Sequence, residues 1–211
     1  MQIGIIGAGN VGGTLGRAWA QKGHEVMFGV RQPKTGKVQT LLEQVGGGAK
    51  AGSVAEAAAF GSVVTLATPW PATREALRTA GDLAGKVLLD CTNPLKADFS
   101  GLEVGHTTSG GEQVGLWAKG ARVVKIFNST GFENMANPKY ARGAALTMFF
   151  AGDDAAAKGI AAQLAREIGF EPVDAGPLGN ARLLEPLALL WVHLAFAQKQ
   201  GTGIAFKLLR R

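Results

Sequence analysis

The residues of this chain that could do chemistry begin at its seventh position. Gly7-Ala8-Gly9-Asn10-Val11-Gly12 fits the pattern G-x-G-x-x-G, preceded by the apolar run Gln2 to Ile6 and followed by residues at helical spacing. In that setting each glycine has its own task. Gly7 makes the tight turn, Gly9 lets a pyrophosphate approach the backbone, and Gly12 lets the helix pack on the sheet. The helix opening at Asn10 and Val11 offers unpaired N–H groups and a partial positive charge to phosphate. The pattern predicts a dinucleotide site.

The end of the second apolar run decides which dinucleotide. A ribose with a free 2′-hydroxyl is usually held there by Asp or Glu, about 20 residues past the motif. Here the stretch reads Phe28-Gly29-Val30-Arg31-Gln32-Pro33-Lys34-Thr35-Gly36-Lys37, without a carboxylate. Beside Val30, Arg31 can pair with a 2′-phosphate and stack on adenine. Lys34 or Lys37, with the Thr35 hydroxyl, is expected to complete the clamp. A solvated basic loop is the alternative; the expected cofactor is NADP(H) in preference to NAD(H).

No catalytic side chain is assigned. Hydride transfer between a nicotinamide and a flavin-like ring needs none, because the cofactor carries the chemistry and the protein aligns two carbons and excludes water. Reducing a ketone or imine would require a proton donor. His24 precedes the second strand and reads as structural, and His193 reads as an interface histidine in the apolar final helix. His106, after Asp90-Cys91-Thr92-Asn93-Pro94, is the one candidate relay. Cys91 reads as a small buried residue. Trp70 either stacks near the nicotinamide or packs in the core. No His/Cys/carboxylate set has metal-ligand spacing, and no metal is expected.

Strands are expected at Gln2 to Ile6, Glu25 to Val30, Ala49 to Ala51, Val63 to Ala67, Lys86 to Asp90, Arg122 to Phe127, Ala145 to Ala151 and Pro172-Val173. Helices are expected at Asn10 to Lys22, Thr40 to Val45, after a Ser53/Glu56 capping box, at Ala72 to Ala80, Gly110 to Lys119, Asp153 to Ile168 and Leu178 to Gln198. Continuous apolar strands alternating with helices predict an α/β fold: a doubly wound parallel Rossmann sheet of about eight strands. No Pro/Ser-rich linker divides the chain, so residues 1–211 are expected to form a single domain.

One cysteine excludes an internal disulfide and suits a reducing cytoplasm. The first residues read as a strand rather than a leader. The apolar stretch Leu183 to Ala197 is broken by Glu185, Pro186 and His193, so no membrane span is expected. The net charge of +6 favours anionic partners. Basic residues cluster only at Arg31 to Lys37 and Lys207 to Arg211, without interleaved aromatics, so nucleic acid is not the expected partner. Leu183, Leu184, Leu187, Leu189, Leu190, Trp191, Val192, Leu194 and Phe196 surround the final helix. A helix apolar all round must be buried all round. The C-terminal helix and tail, residues 178–211, are therefore expected at a homodimer interface, with Trp191 at the contact.

The chain resembles the coenzyme F420-dependent NADP oxidoreductase family, reductases that pass hydride between NADP(H) and a deazaflavin. The Gly7 to Gly12 turn, Gly29-Val30-Arg31, Thr68-Pro69-Trp70 and Val123 to Asn128 are similar to that family. So are Asp174-Ala175-Gly176-Pro177-Leu178, Asn180 to Glu185 and Gly203 to Phe206. The resemblance implies that Thr68, Pro69 and Trp70 border the nicotinamide ribose. It also implies that Asn128, Ser129, Thr130 and Gly131 lie beside the ring, and that Asp174 to Leu178 lies near the acceptor pocket. Asn128 to Asn134 is also similar to the cytosolic reductase domain of six-transmembrane ferric reductases, which uses flavin. The expected acceptor is thus coenzyme F420 or a flavin. A small carbonyl or imine reductase and a non-enzymatic NADPH sensor are the alternatives.

Overall fold

The computed structural model describes residues 1–140 and 143–211. The chain runs β1 (Gln2–Ile6), α1 (Asn10–Gln21), β2 (Glu25–Gly29), α2 (Gly36–Val45), β3 (Lys50–Gly52), α3 (Val54–Phe60), β4 (Val63–Leu66), α4 (Trp70–Ala80) and β5 (Val87–Asp90). It continues through α5 (Gly110–Trp117), β6 (Arg122–Lys125), α6 (Phe132–Ala136), β7 (Thr147–Gly152), α7 (Ala155–Glu167), β8 (Glu171–Asp174) and α8 (Ala181–Val192). One sheet holds all eight strands in the order β3-β2-β1-β4-β5-β6-β7-β8. β1, β4 and β5 are almost wholly apolar along their length because both faces of the sheet are covered.

On one face, Leu15 and Trp19 of α1 and the alanines of α7 bury against Ile5, Phe28 and Phe127. Trp19 is fully buried, lies edge-on to Phe127 at 5.8 Å, and donates its indole N–H to the Leu164 carbonyl. On the other face, Val54, Leu77 and Val114 from α3, α4 and α5 cover Leu66 and Leu88. The Ser53 side chain accepts from the Glu56 N–H while Glu56 accepts from the Ser53 N–H, so α3 starts with the expected capping box.

The sheet departs from an all-parallel one at a single place: β7 runs antiparallel to β6. A parallel crossover needs an element long enough to carry the chain back along the sheet. α6 has only five residues, about 7.5 Å of rise, so the chain turns at the strand ends and comes back reversed. Smaller differences lie at element ends. α2 begins at Gly36, four residues before the expected Thr40, and α7 is capped by Asp154, not Asp153. The final helix is not one rod: a 3₁₀ turn at Leu178–Asn180 precedes α8, and a π-helical turn at His193–Ala197 follows it.

That last helix is also not buried all round. Ala181, Leu184, Glu185, Ala188 and Trp191 face inward, whereas Leu183, Leu190 and Phe196 are exposed. Trp191, expected between subunits, is packed within its own chain: it donates to the Ile204 carbonyl and lies against Gly131. Among the described residues, no helix is long and apolar enough to cross a membrane.

Candidate functional site: a nucleotide-binding turn and the loops beside it

β1 lies between β2 and β4, whose following helices pack on opposite faces of the sheet. A crevice opens outside the strand ends at such a switch point. The turn from β1 into α1 lies there. Gly7 has φ +109°, and a Cβ on it would stand 2.5 Å from the Ala67 carbonyl oxygen. A Cβ on Gly12 would stand 2.1 Å from the Gly7 carbonyl oxygen. Both glycines are demanded by the fold itself. Gly9 is different: its φ is −80°, and a Cβ there would meet nothing within 4 Å. The space beside Gly9 is open, and the chain does not fill it.

Gly9 is also the N-cap of α1, and no side chain caps the helix. The helical ladder begins with Gly13 N–H donating to the Gly9 carbonyl at 2.8 Å. The N–H groups of Asn10, Val11 and Gly12 therefore lie outside the ladder, and no acidic residue occupies the first turn. This is a cradle that fits a pyrophosphate.

At the end of β2, Val30 is half-buried and donates its N–H to the Gly52 carbonyl. Arg31, Lys34 and Lys37 are exposed. Among the described residues none of the three forms an ion pair. Thr35 is the N-cap of α2, but its hydroxyl donates to the Gln32 carbonyl and leaves the helix amides uncapped. A second N-terminus and three cations thus share one corner without a carboxylate partner.

The loops after β4, β5 and β6 complete this edge. The Thr68 hydroxyl pairs with Thr73, and Pro69 caps α4. The half-buried Trp70 packs its ring 5.4 Å from Trp117, against the apolar cluster of α4 and α5. After β6, Phe127 has φ +60° while fully buried, a strained turn that delivers Asn128. Asn128 is buried; its amide donates to the Leu184 carbonyl and to Asn93 Oδ1, and Asn93 donates back to the Asn128 carbonyl. Ser129 is buried as well, while the half-buried Thr130 accepts from Asn134. Gly131 meets Trp191, whose Cη2 would be 2.6 Å from an added Cβ.

Beneath these loops lies a buried cluster of charges that a reading of the sequence alone misses. Lys125 Nζ contacts Asp90 Oδ2 at 3.0 Å, Glu185 Oε1 at 2.9 Å and the Thr92 carbonyl at 2.5 Å, all without solvent exposure. The other Asp90 oxygen accepts from the Thr92 N–H and hydroxyl. Glu185 also accepts from Gly110 and Gly111 N–H at the start of α5. Burial by itself would lower the Lys125 pKa. The two carboxylates outweigh it and hold the ammonium above the ordinary lysine value.

With this geometry established, comparison with known proteins is informative. The family described as NADP oxidoreductase, coenzyme F420-dependent, matches residues 2–94. A solved structure from Arthrobacter sp. FB24, of a candidate F420-dependent NADP reductase, superposes with a TM-score of 0.90 at 32% identity, covering 99% of each chain. This chain belongs to that family.

The F420-dependent NADP reductase of Methanothermobacter marburgensis is a further relative, 28% identical over 92% of each chain. The metalloreductase STEAP3 of Rattus norvegicus is 31% identical over 90% of this chain, which spans 37% of that relative's length. Family membership gives the enzyme class, an NADP-dependent oxidoreductase.

His24 is buried between the N-terminal amine and Glu167, as a structural residue would be. His106 and His193 are exposed. His193 therefore does not lie within the chain's apolar core. The Cys91 thiol is pushed far up by burial and by Asp90, so no thiolate forms there. Asp174 to Leu178 runs along β7, with the Gly176 carbonyl accepting from Gly152 N–H, and Leu178 lines a cavity of about 580 Å³ with Thr108, Arg122 and Asp153.

Proposed function

We propose that this chain transfers hydride between NADP(H), seated on the Gly7 to Gly12 turn, and a deazaflavin-like ring of the coenzyme F420 type. The observation that carries the reading is the uncapped N-terminus of α1 at Gly9 together with three exposed cations after β2, Arg31, Lys34 and Lys37, that form no ion pair among the described residues. Asn10, Val11 and Gly12 N–H would hold the pyrophosphate. Arg31, with Lys34, Lys37 and Thr35, would hold the 2′-phosphate. Thr68 and Pro69 would border the nicotinamide ribose, and Asn128, Ser129 and Thr130 the ring. When bound, the nicotinamide supplies the hydride. The protein's part is to hold the ring against the acceptor and keep water out, which asks for no acid or base from the chain.

The exposed apolar residues Leu183 and Leu190 of α8 and Phe196 of the turn after it support a homodimer in which residues 178–211 meet their copies. The single buried cysteine suits the cytoplasm. Anaerobic NADPH oxidation with coenzyme F420, riboflavin, and a panel of small ketones and imines tests the proposal. Turnover with coenzyme F420 that exceeds the rest supports it. Turnover confined to riboflavin or to a carbonyl would replace the acceptor, and no turnover at all would leave a binding protein.

A further inference from the structure

Hydride transfer as proposed uses none of the three buried charges at Asp90, Lys125 and Glu185. Well-packed apolar residues would stabilise the same space at least as well, so such a cluster calls for a purpose beyond stability. Its carboxylates outnumber its ammonium by one. The excess is met by the start of α5, where Glu185 accepts from Gly110 and Gly111 at the positive end of the helix. The three residues come from three elements: the last residue of β5, the last residue of β6 and the second turn of α8.

What these positions share is what adjoins them. Asp90 is followed directly by the turn that carries Asn93, and Lys125 by the turn that carries Asn128. Leu184, next to Glu185, gives its carbonyl to Asn128, and Asn93 and Asn128 bond each other in both directions. The Lys125–Glu185 and Asn128–Leu184 contacts refer the end of β6 and its loop to α8, and the Asp90–Lys125 and Asn93–Asn128 contacts tie the end of β5 and its loop to them. We infer that Asp90, Lys125 and Glu185 form a positioning device that sets the loops after β5 and β6 against α8, and with them the nicotinamide end of the site. The identity of what those loops hold rests on the proposed function; the order of the loops does not.

Hydrogen–deuterium exchange on the cofactor-free protein tests the loop order directly. In Glu185→Gln, amides in 91–94, 109–111 and 126–131 are expected to exchange about tenfold faster, while β1 and the Gly7 to Gly12 turn keep their protection. Unchanged exchange in those segments, or a rise spread evenly through β1, overturns the inference. Should that variant fail to fold, Asp90→Asn/Lys125→Met/Glu185→Leu leaves no unpaired buried charge. It is expected to fold with the same local loosening, and wild-type protection there overturns the inference.

With NADPH and coenzyme F420, Glu185→Gln is expected to lower kcat by about 10²-fold with the NADPH Kd almost unchanged. The deuterium isotope effect on kcat should rise, because a mispositioned ring slows the hydride step itself. A merely structural loss would shrink the active fraction and leave the isotope effect where it was, contradicting the positioning role. Failure of the wild type to turn over would count against the proposed function and leave the exchange result standing.

Discussion

Two glycines three residues apart in one turn answer to different masters. A Cβ at Gly12 would collide with the Gly7 carbonyl, whereas a Cβ at Gly9 would enter empty space. Gly12→Ala is therefore expected to destabilise the protein by about 1–3 kcal/mol, seen as a lowered melting temperature. Gly9→Val is expected to fold normally and to lose NADPH binding by titration, since its side chain fills the place of the pyrophosphate. Equal binding by the variant would show that the turn is not the phosphate site. At the other end of the nucleotide, Arg31→Ala should cost about 1.5–3 kcal/mol in NADPH binding and little in NADH binding. A wild type with equal Kd for both cofactors would contradict the 2′-phosphate assignment. The glycine turn was legible because its geometry is local in sequence. The buried cluster was not, because Asp90, Lys125 and Glu185 are far apart along the chain. One signal did exist: a lysine inside Val123-Val124-Lys125-Ile126-Phe127 cannot sit in a covered strand without partners.

At the scale of elements, strands and helices could be read from apolar runs and caps, but strand direction could not. β7 is covered on both faces and so reads like its parallel neighbours; the short α6 decides its direction, and the five residues of α6 carry no pattern. The start of α2 was hidden for a related reason, since Gly36 is a poor helix former held there by the preceding turn. Where the local signal is strong its energy can be tested: Ser53→Ala should cost about 1 kcal/mol by removing the cap of α3. Contact between α5 and α8 carries a pH dependence. Arg182, reaching from α8 with its guanidinium 2.5 Å from Glu112, holds that carboxyl below the ordinary glutamate range, helped by Ser109. A carboxylate whose pKa is lowered on folding contributes above its unfolded value and loses that contribution as pH falls through the folded one. The melting temperature of wild type should therefore drop as the medium is acidified below the ordinary glutamate range. Arg182→Gln should flatten that drop; identical acid profiles would remove the pair from the account.

At the scale of the whole molecule, the final helix was read as apolar all round, and the structure divides it. Trp191 and Leu184 belong to the interior of their own chain, while Leu183, Leu190 and Phe196 remain outside. Each such side chain gains roughly 1.5–3 kcal/mol when fully buried, enough for a few of them to hold two copies together. Light scattering is expected to give a dimer at micromolar concentration and a monomer for Leu190→Arg; a monomeric wild type would end the dimer proposal.

The central claim is that a hydride moves from NADP(H) on this turn to a carbon of a deazaflavin ring, and following the atom itself tests it most directly. Wild-type protein would be mixed anaerobically with coenzyme F420 and NADPH deuterated at the transferred C4 position, and the reduced acceptor weighed by mass spectrometry. A carbon-bound deuterium does not exchange with water, so the account predicts one deuterium retained in the acceptor ring for each NADPH oxidised. NADPH oxidised with no deuterium in the ring, or left unoxidised, would contradict it.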